Sequence, residues 1–173
     1  VGGGKVSVGP PFFDAVFVPL MIPMIAAMGV GPMLAWKRGD LMPALRRLWT
    51  AMVAALAAVL VTWAVVGDGP VLALLGIGLA AWLFVATGVQ LAERARFGRG
   101  SVLDGLGRLI RMPRAAWGTT LGHAGLAIAV AGMTGAAAWK VESIQVMTPG
   151  QTVTVGGYDY TFKGARTVPG PNY

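Results

Sequence analysis

One residue of this chain stands out for its chemistry: His123, the single histidine among 173 residues. It lies about six residues into an apolar run from Trp117 to Trp139. At a helical rise of about 1.5 Å, that is roughly 9 Å below a membrane interface. A polar ring at such depth is costly and marks function by default. Three roles suit an imidazole there: a haem or metal ligand, a proton relay, or a hydrogen bond to a neighbouring helix. The chain has no second histidine and no cysteine. That excludes a disulfide framework, a thiolate nucleophile and a zinc–cysteine site. A haem held by two imidazoles would need its second histidine from elsewhere.

The neighbours of His123 are small. Gly118, Gly122, Gly125, Ala129, Gly132 and Ala136 alternate four- and three-residue steps. They make one smooth helical stripe that a second helix, or a flat ring system, can approach closely. His123 stands about 100° around the helix from Gly122 and is expected to border the stripe. Other groups offer less. Met21, Met24, Met28 and Met33 read as lipid-facing or packing residues, and Asp14 as a cap on the first span. The scattered acids form no carboxylate pair, and no glycine-rich phosphate loop follows a strand.

The elements that must position His123 are membrane spans, which need about 20 apolar residues each. Four stretches qualify, at about 16–36, 50–66, 71–91 and 117–139. The first contains Pro19, Pro23 and Pro32 and is expected to kink. Trp49, Trp117 and Trp139 fall at span ends, where interfacial aromatics belong. The fold class expected is an all-α integral membrane bundle of four transmembrane helices, followed by the start of a small extracytoplasmic β-domain.

Charge orients the bundle. Loops 37–49 and 92–116 hold ten basic residues against Asp40, Glu93 and Asp104, a surplus of +7. All other segments sum to zero, so the whole net charge lies on one side. The positive-inside rule makes that side cytoplasmic. Residues 1–15 then form an extracytoplasmic lead-in, and residues 140–173 an extracytoplasmic segment. A basic balance with a pI near 10.6 is also a mark of nucleic-acid binding, but charges that flank spans are better read as topology.

Within the second loop, Val102, Leu103, Leu106, Leu109 and Ile110 recur at helical spacing beside Arg108, Arg111 and Arg114. This predicts a short interfacial helix with a Ser101–Asp104 capping box and arginines reaching lipid phosphates. After Trp139, Gln151–Val155 and Tyr158–Phe162 flank Gly156-Gly157, the signature of a β-hairpin.

Composition agrees. The chain is 55% hydrophobic and 12% charged, with a mean hydropathy of +0.67. Soluble domains carry about a quarter charged residues, so an ordinary water-soluble enzyme is not expected. No charged leader precedes Val1, which suggests a trimmed start or an internal piece of a longer chain. Residues alone leave three function classes open: a haem protein, a transporter or channel subunit, and a structural subunit of a membrane complex. The transporter reading lacks an intramembrane acid partner and paired broken helices.

Three stretches carry a family resemblance. They are Lys5–Pro32 with its Val-Gly-Pro-Pro-Phe-Phe-Asp14 and Gly29-Val-Gly-Pro32, then Trp117-Gly-Thr-Thr-Leu-Gly-His-Ala-Gly125, then Pro149–Tyr158 with Gly170-Pro-Asn-Tyr173. Together they resemble the CcmF/NrfE family of cytochrome c maturation haem lyases, in its C-terminal half. The resemblance implies a bacterial inner-membrane protein that receives haem from the haem chaperone CcmE. It implies attachment of that transient haem to the cysteines of apocytochrome c, with further maturation subunits such as CcmH. It also implies a structural b-type haem between two transmembrane histidines, reducible by quinol. His123 matches the later of these two histidines and would be an axial ligand of the haem iron. The family's tryptophan-rich segment, external histidines and other transmembrane histidine are missing, so this segment alone would not be catalytic.

Overall fold

A computed structural model of the chain describes residues 10–34, 41–67, 70–98, 100–167 and 170. The lead-in 1–9, the 35–40 end of the first span and its loop, the tip of the 67–70 turn and the last three residues lie outside the described residues.

Among the described residues six α-helices and one hairpin follow in order. They are α1 (Pro10–Val30), ending in a 3₁₀ turn (Gly31–Met33), α2 (Leu41–Arg47), α3 (Trp49–Val66), α4 (Val71–Ala95), α5 (Val102–Ile110), α6 (Arg114–Ala138), β1 (Thr152–Val155) and β2 (Tyr158–Thr161). Among the described residues four helices are long and apolar enough to cross a membrane: α1, α3, α4 and α6. The chain divides into two compact units, 1–138 and 139–173.

Several boundaries differ from the sequence reading for local reasons. α1 begins at Pro10, because consecutive prolines are preset for a first helical turn. Asp14 therefore falls inside the helix rather than before it. Pro32 falls in the 3₁₀ turn beyond α1, and α1 runs through Pro19 and Pro23. α6 begins at Arg114, three residues early, with the Pro113 carbonyl accepting the first N–H groups. Part of the expected loop 37–49 is the short helix α2. The helix expected near 101–114 is α5. Ser101 Oγ accepts from the Leu103 N–H at 3.2 Å, but among the described residues the reciprocal Asp104 bond of a capping box is not made.

α4 is the centre of the first unit. Its buried positions are mostly small, among them Ala73, Gly78, Ala80 and Ala86. Without a hydrophobic driving force in lipid, such residues let helices pack backbone to backbone. A Cβ added at Gly78 would meet Val59 of α3, and one at Gly76 would meet Thr134 of α6. Two clusters hold the unit together: Ile25, Leu83 and Ala127, then Leu48, Ala51 and Ala86. Trp82 packs against both.

These pairs also fix direction. Leu83 meets Ala127 while Gly76 meets Thr134, so α4 and α6 are antiparallel. Ala51–Ala86 and Val59–Gly78 make α3 and α4 antiparallel too. Trp82 and Gln90 bond Ala26 and Gly29 in rising order, so α1 runs parallel to α4. The spans alternate as successive crossings must, and Arg47, Arg94 and Arg96 gather at one end. Trp49, first in α3, is exposed, and Trp139 directly follows α6.

In the second unit β1 and β2 pair antiparallel, Val155 opposite Tyr158 and Thr152 opposite Thr161. Gly156 and Gly157 both have positive φ, +60° and +83°, the conformation of a type I′ turn. Thr152 and Thr161 share a hydroxyl bond at 2.8 Å, and Thr154 Oγ1 donates to Asp159 Oδ1 at 2.6 Å. A two-stranded hairpin is at best marginally stable by itself.

Candidate functional site

His123 is the tenth residue of α6, about 14 Å along the helix from its start. Its ring is half-buried, and Nδ1 is fully buried with no hydrogen-bond partner among the described residues. The two threonines nearest it do not help. Thr119 and Thr120 give their hydroxyls to the carbonyls of Ala115 and Ala116, one turn back, at 3.0 and 2.9 Å. A buried nitrogen of this kind normally finds a partner, and an unmet one points to a group outside the chain described.

The small-residue stripe is placed differently from the expectation. Ala127, buried against Ile25 and Leu83, lies about 40° around α6 from His123. His123 thus belongs with the face packed on α1 and α4. Gly118, Gly122, Gly125 and Gly132 are exposed, and a Cβ at any of them would meet nothing within 4 Å. The stripe lies roughly opposite Ala127, facing away from the other helices of the unit. Histidine and stripe therefore do not form one wall. Helical periodicity identifies residues that share a face; it does not identify the face that has a neighbour.

The methionines act as packing residues: Met21 and Met28 against the first cluster, Met33 against the second, with Met24 exposed. No group of three or more metal-ligating side chains exists among the described residues. A neutral imidazole is a proper axial donor for haem iron. The chain offers one such ligand, and the carbonyl or carboxylate that usually orients a ligating histidine is not supplied to Nδ1 by the described residues. As a donor the imidazole fits; an orienting partner for Nδ1 is not found among the described residues.

Sequence reasoning missed the groups that hold α1. Trp82 Nε1 donates to the Ala26 carbonyl at 3.1 Å, and Gln90 Nε2 to that of Gly29 at 3.0 Å. A tryptophan in mid-span and a lone amide near a span end were the available signals. Of the three arginines expected to reach lipid, Arg108 is otherwise occupied, donating to the Ala95 carbonyl at 2.9 Å. Arg94, at the end of α4, donates to the Ala116 carbonyl at 3.4 Å. Val102, Leu103 and Ile110 of α5 are exposed.

Residues 138–173 match the family model described as the CcmF C-terminal beta-sandwich. Across 171 residues the chain is 42% identical to the cytochrome c-type biogenesis protein CycK of Rhizobium meliloti, covering 99% of this chain and 25% of that protein. It is 33% identical over 173 residues to the cytochrome c-type biogenesis protein CcmF of Pseudomonas aeruginosa, covering all of this chain and 26% of that protein. To CcmF of Escherichia coli it is 30% identical over 175 residues, again all of this chain and 25% of the relative. The chain thus spans about a quarter of the length of the curated relatives it matches. No solved structure matches it.

Proposed function

The chain belongs to the CcmF family of cytochrome c-type biogenesis proteins, and from that premise we propose that it is a membrane segment of a cytochrome c haem lyase in which His123 is one of two axial ligands of a b-type haem. The observation that carries this reading is the buried nitrogen of the single histidine, set in mid-span and without a partner among the described residues. The second axial histidine comes from the rest of the full-length protein. When bound, such a haem supplies one-electron transfer, with quinol as the electron donor.

The chain's own residues do three things in this reading. α6, packed on α4 through Ala127, holds His123 at a fixed depth and turns it to the packed side. The surrounding apolar residues exclude water. The hairpin at 152–161 begins the outer domain near which the substrate haem, delivered by CcmE, and apocytochrome c meet, with CcmH among the partners. The basic end faces the cytoplasm of a bacterial inner membrane and residues 140–173 face the periplasm; the charge surplus of +7 at one end supports this.

The test is a reduced-minus-oxidised visible spectrum of the full-length protein beside its His123→Ala variant. A bis-imidazole α-band present in the parent and lost in the variant is expected. The same band surviving the substitution would make His123 a packing residue.

A further inference from the structure

The basic end of the four-helix unit contains a cavity of about 560 Å³ between the start of α3 and the end of α4. Arg47, Thr50, Val89, Glu93, Arg96 and Phe97 line it. A smaller cavity of about 280 Å³ shares Arg47 and Glu93 with it. Three of the groups facing the larger cavity have unused hydrogen-bonding capacity.

Arg94 and Arg108, close by, are spent on the carbonyls of Ala116 and Ala95. Arg47 and Arg96 make no side-chain hydrogen bond or ion pair among the described residues. Glu93 stands beside them without forming a salt bridge; the ion pair found among the described residues is Lys140–Glu142. Thr50 Oγ1 is fully buried and has no partner among the described residues. Three helical threonines, Thr87, Thr119 and Thr120, each donate to the carbonyl four residues back. Thr50 does not. Arg96 adds a backbone signal, because it is the one described non-glycine residue with positive φ, at +55°. Glycine would take that helix-ending position at no steric cost, yet an arginine is held there with its side chain on the cavity.

We propose that this cavity seats the phosphate of an anionic phospholipid, gripped by the Arg47 and Arg96 guanidiniums and by the Thr50 hydroxyl. Two arginines against Glu93 leave the lining with a surplus of one positive charge. That matches the single negative charge of a phosphodiester. Val89 and Phe97 give the lining an apolar part, and Val53 and Leu60, exposed within about 80° of Thr50 around α3, offer apolar surface for acyl chains. Basic pockets between spanning helices are suited to anionic headgroups, each arginine near the surface contributing about a fivefold factor in affinity. The site does not depend on His123 or on haem.

The experiment uses the full-length protein purified in detergent, with retained phospholipid extracted and identified by mass spectrometry through repeated detergent exchange. Phosphatidylglycerol is expected to stay with the parent protein in preference to phosphatidylethanolamine. The Arg47→Gln/Arg96→Gln variant is expected to hold it about 25-fold more weakly, the product of two such factors. Thr50→Val, which keeps the side-chain shape, is expected to weaken retention several-fold. Arg111→Gln/Arg114→Gln removes the same charge from the same end outside the cavity and is expected to leave retention intact. Equal loss in that control would replace the site with a diffuse basic surface. Full retention in the first double variant, or displacement of the lipid by millimolar inorganic phosphate, would overturn the proposal.

Discussion

The Gln90 side-chain amide of α4 donates to the Gly29 carbonyl of α1 at 3.0 Å, joining residues 61 apart in sequence. Gly29 stands in the last turn of α1, where carbonyls lack the helical N–H four residues ahead. In lipid no water substitutes, so a side chain from the adjacent span does. Glycine at 29 is also a packing requirement, since a Cβ there would enter the Trp82 indole.

Replacing Gln90 by Leu keeps the volume and leaves the Gly29 carbonyl unmet. Interhelical hydrogen bonds in membranes contribute about 0.6 kcal/mol on average, with a maximum near 1.7. A loss of about 1 kcal/mol is expected, read as a lowered midpoint in equilibrium unfolding of the detergent-solubilised full-length protein. An unchanged midpoint would mean that the bond is incidental.

Glycines of α4 and α6 should respond differently to the same change. Gly76→Val drives a side chain into Thr134, and overpacking of this kind costs about 1–3 kcal/mol. Gly118→Val, in open space on α6, is expected to cost this four-helix unit less than about 0.5 kcal/mol. Thermal denaturation of both variants side by side decides. A larger loss at Gly118 would show that another part of the full-length protein rests on the stripe.

A ligand role and a packing role for His123 separate under chemical rescue. His123→Gly is expected to lose the b-haem band, and imidazole added at millimolar concentration is expected to restore it. A packing histidine leaves a cavity that imidazole fills without producing any haem signal. The spectrum, and not stability, is therefore the readout.

Orientation can be read with engineered thiols, because this chain has no cysteine of its own. Ser101→Cys before α5 and Val146→Cys, 98% exposed between α6 and the hairpin, should label from opposite sides. In intact spheroplasts a membrane-impermeant maleimide is expected to modify position 146 and to reach position 101 only after lysis. The reverse pattern would invert the assigned topology.

Much of this architecture was legible because it rests on local signals. Long apolar runs bounded by arginines and tryptophans give the spans, and Gly156-Gly157 between two β-prone runs gives the hairpin. Boundaries moved where proline chemistry outweighed hydropathy, at Pro10 and Pro113. The site was legible only in part. His123 stood out by type, but its position on the packed side depends on which face α4 takes, and the sequence of α6 alone does not encode that. Thr50 was hidden for a similar reason, since its unmet hydroxyl becomes visible only against the bonds its fellow threonines make.

The paired bonds from Trp82 and Gln90 have a mechanical consequence. They pin α1 to α4 at two points, Ala26 and Gly29, on helices that run in the same direction. A slip of one helical turn, about 5.4 Å, would pull both donors off their acceptors together. The two helices therefore translate as one strut, and any piston-like stroke of the first span must carry α4 along with it.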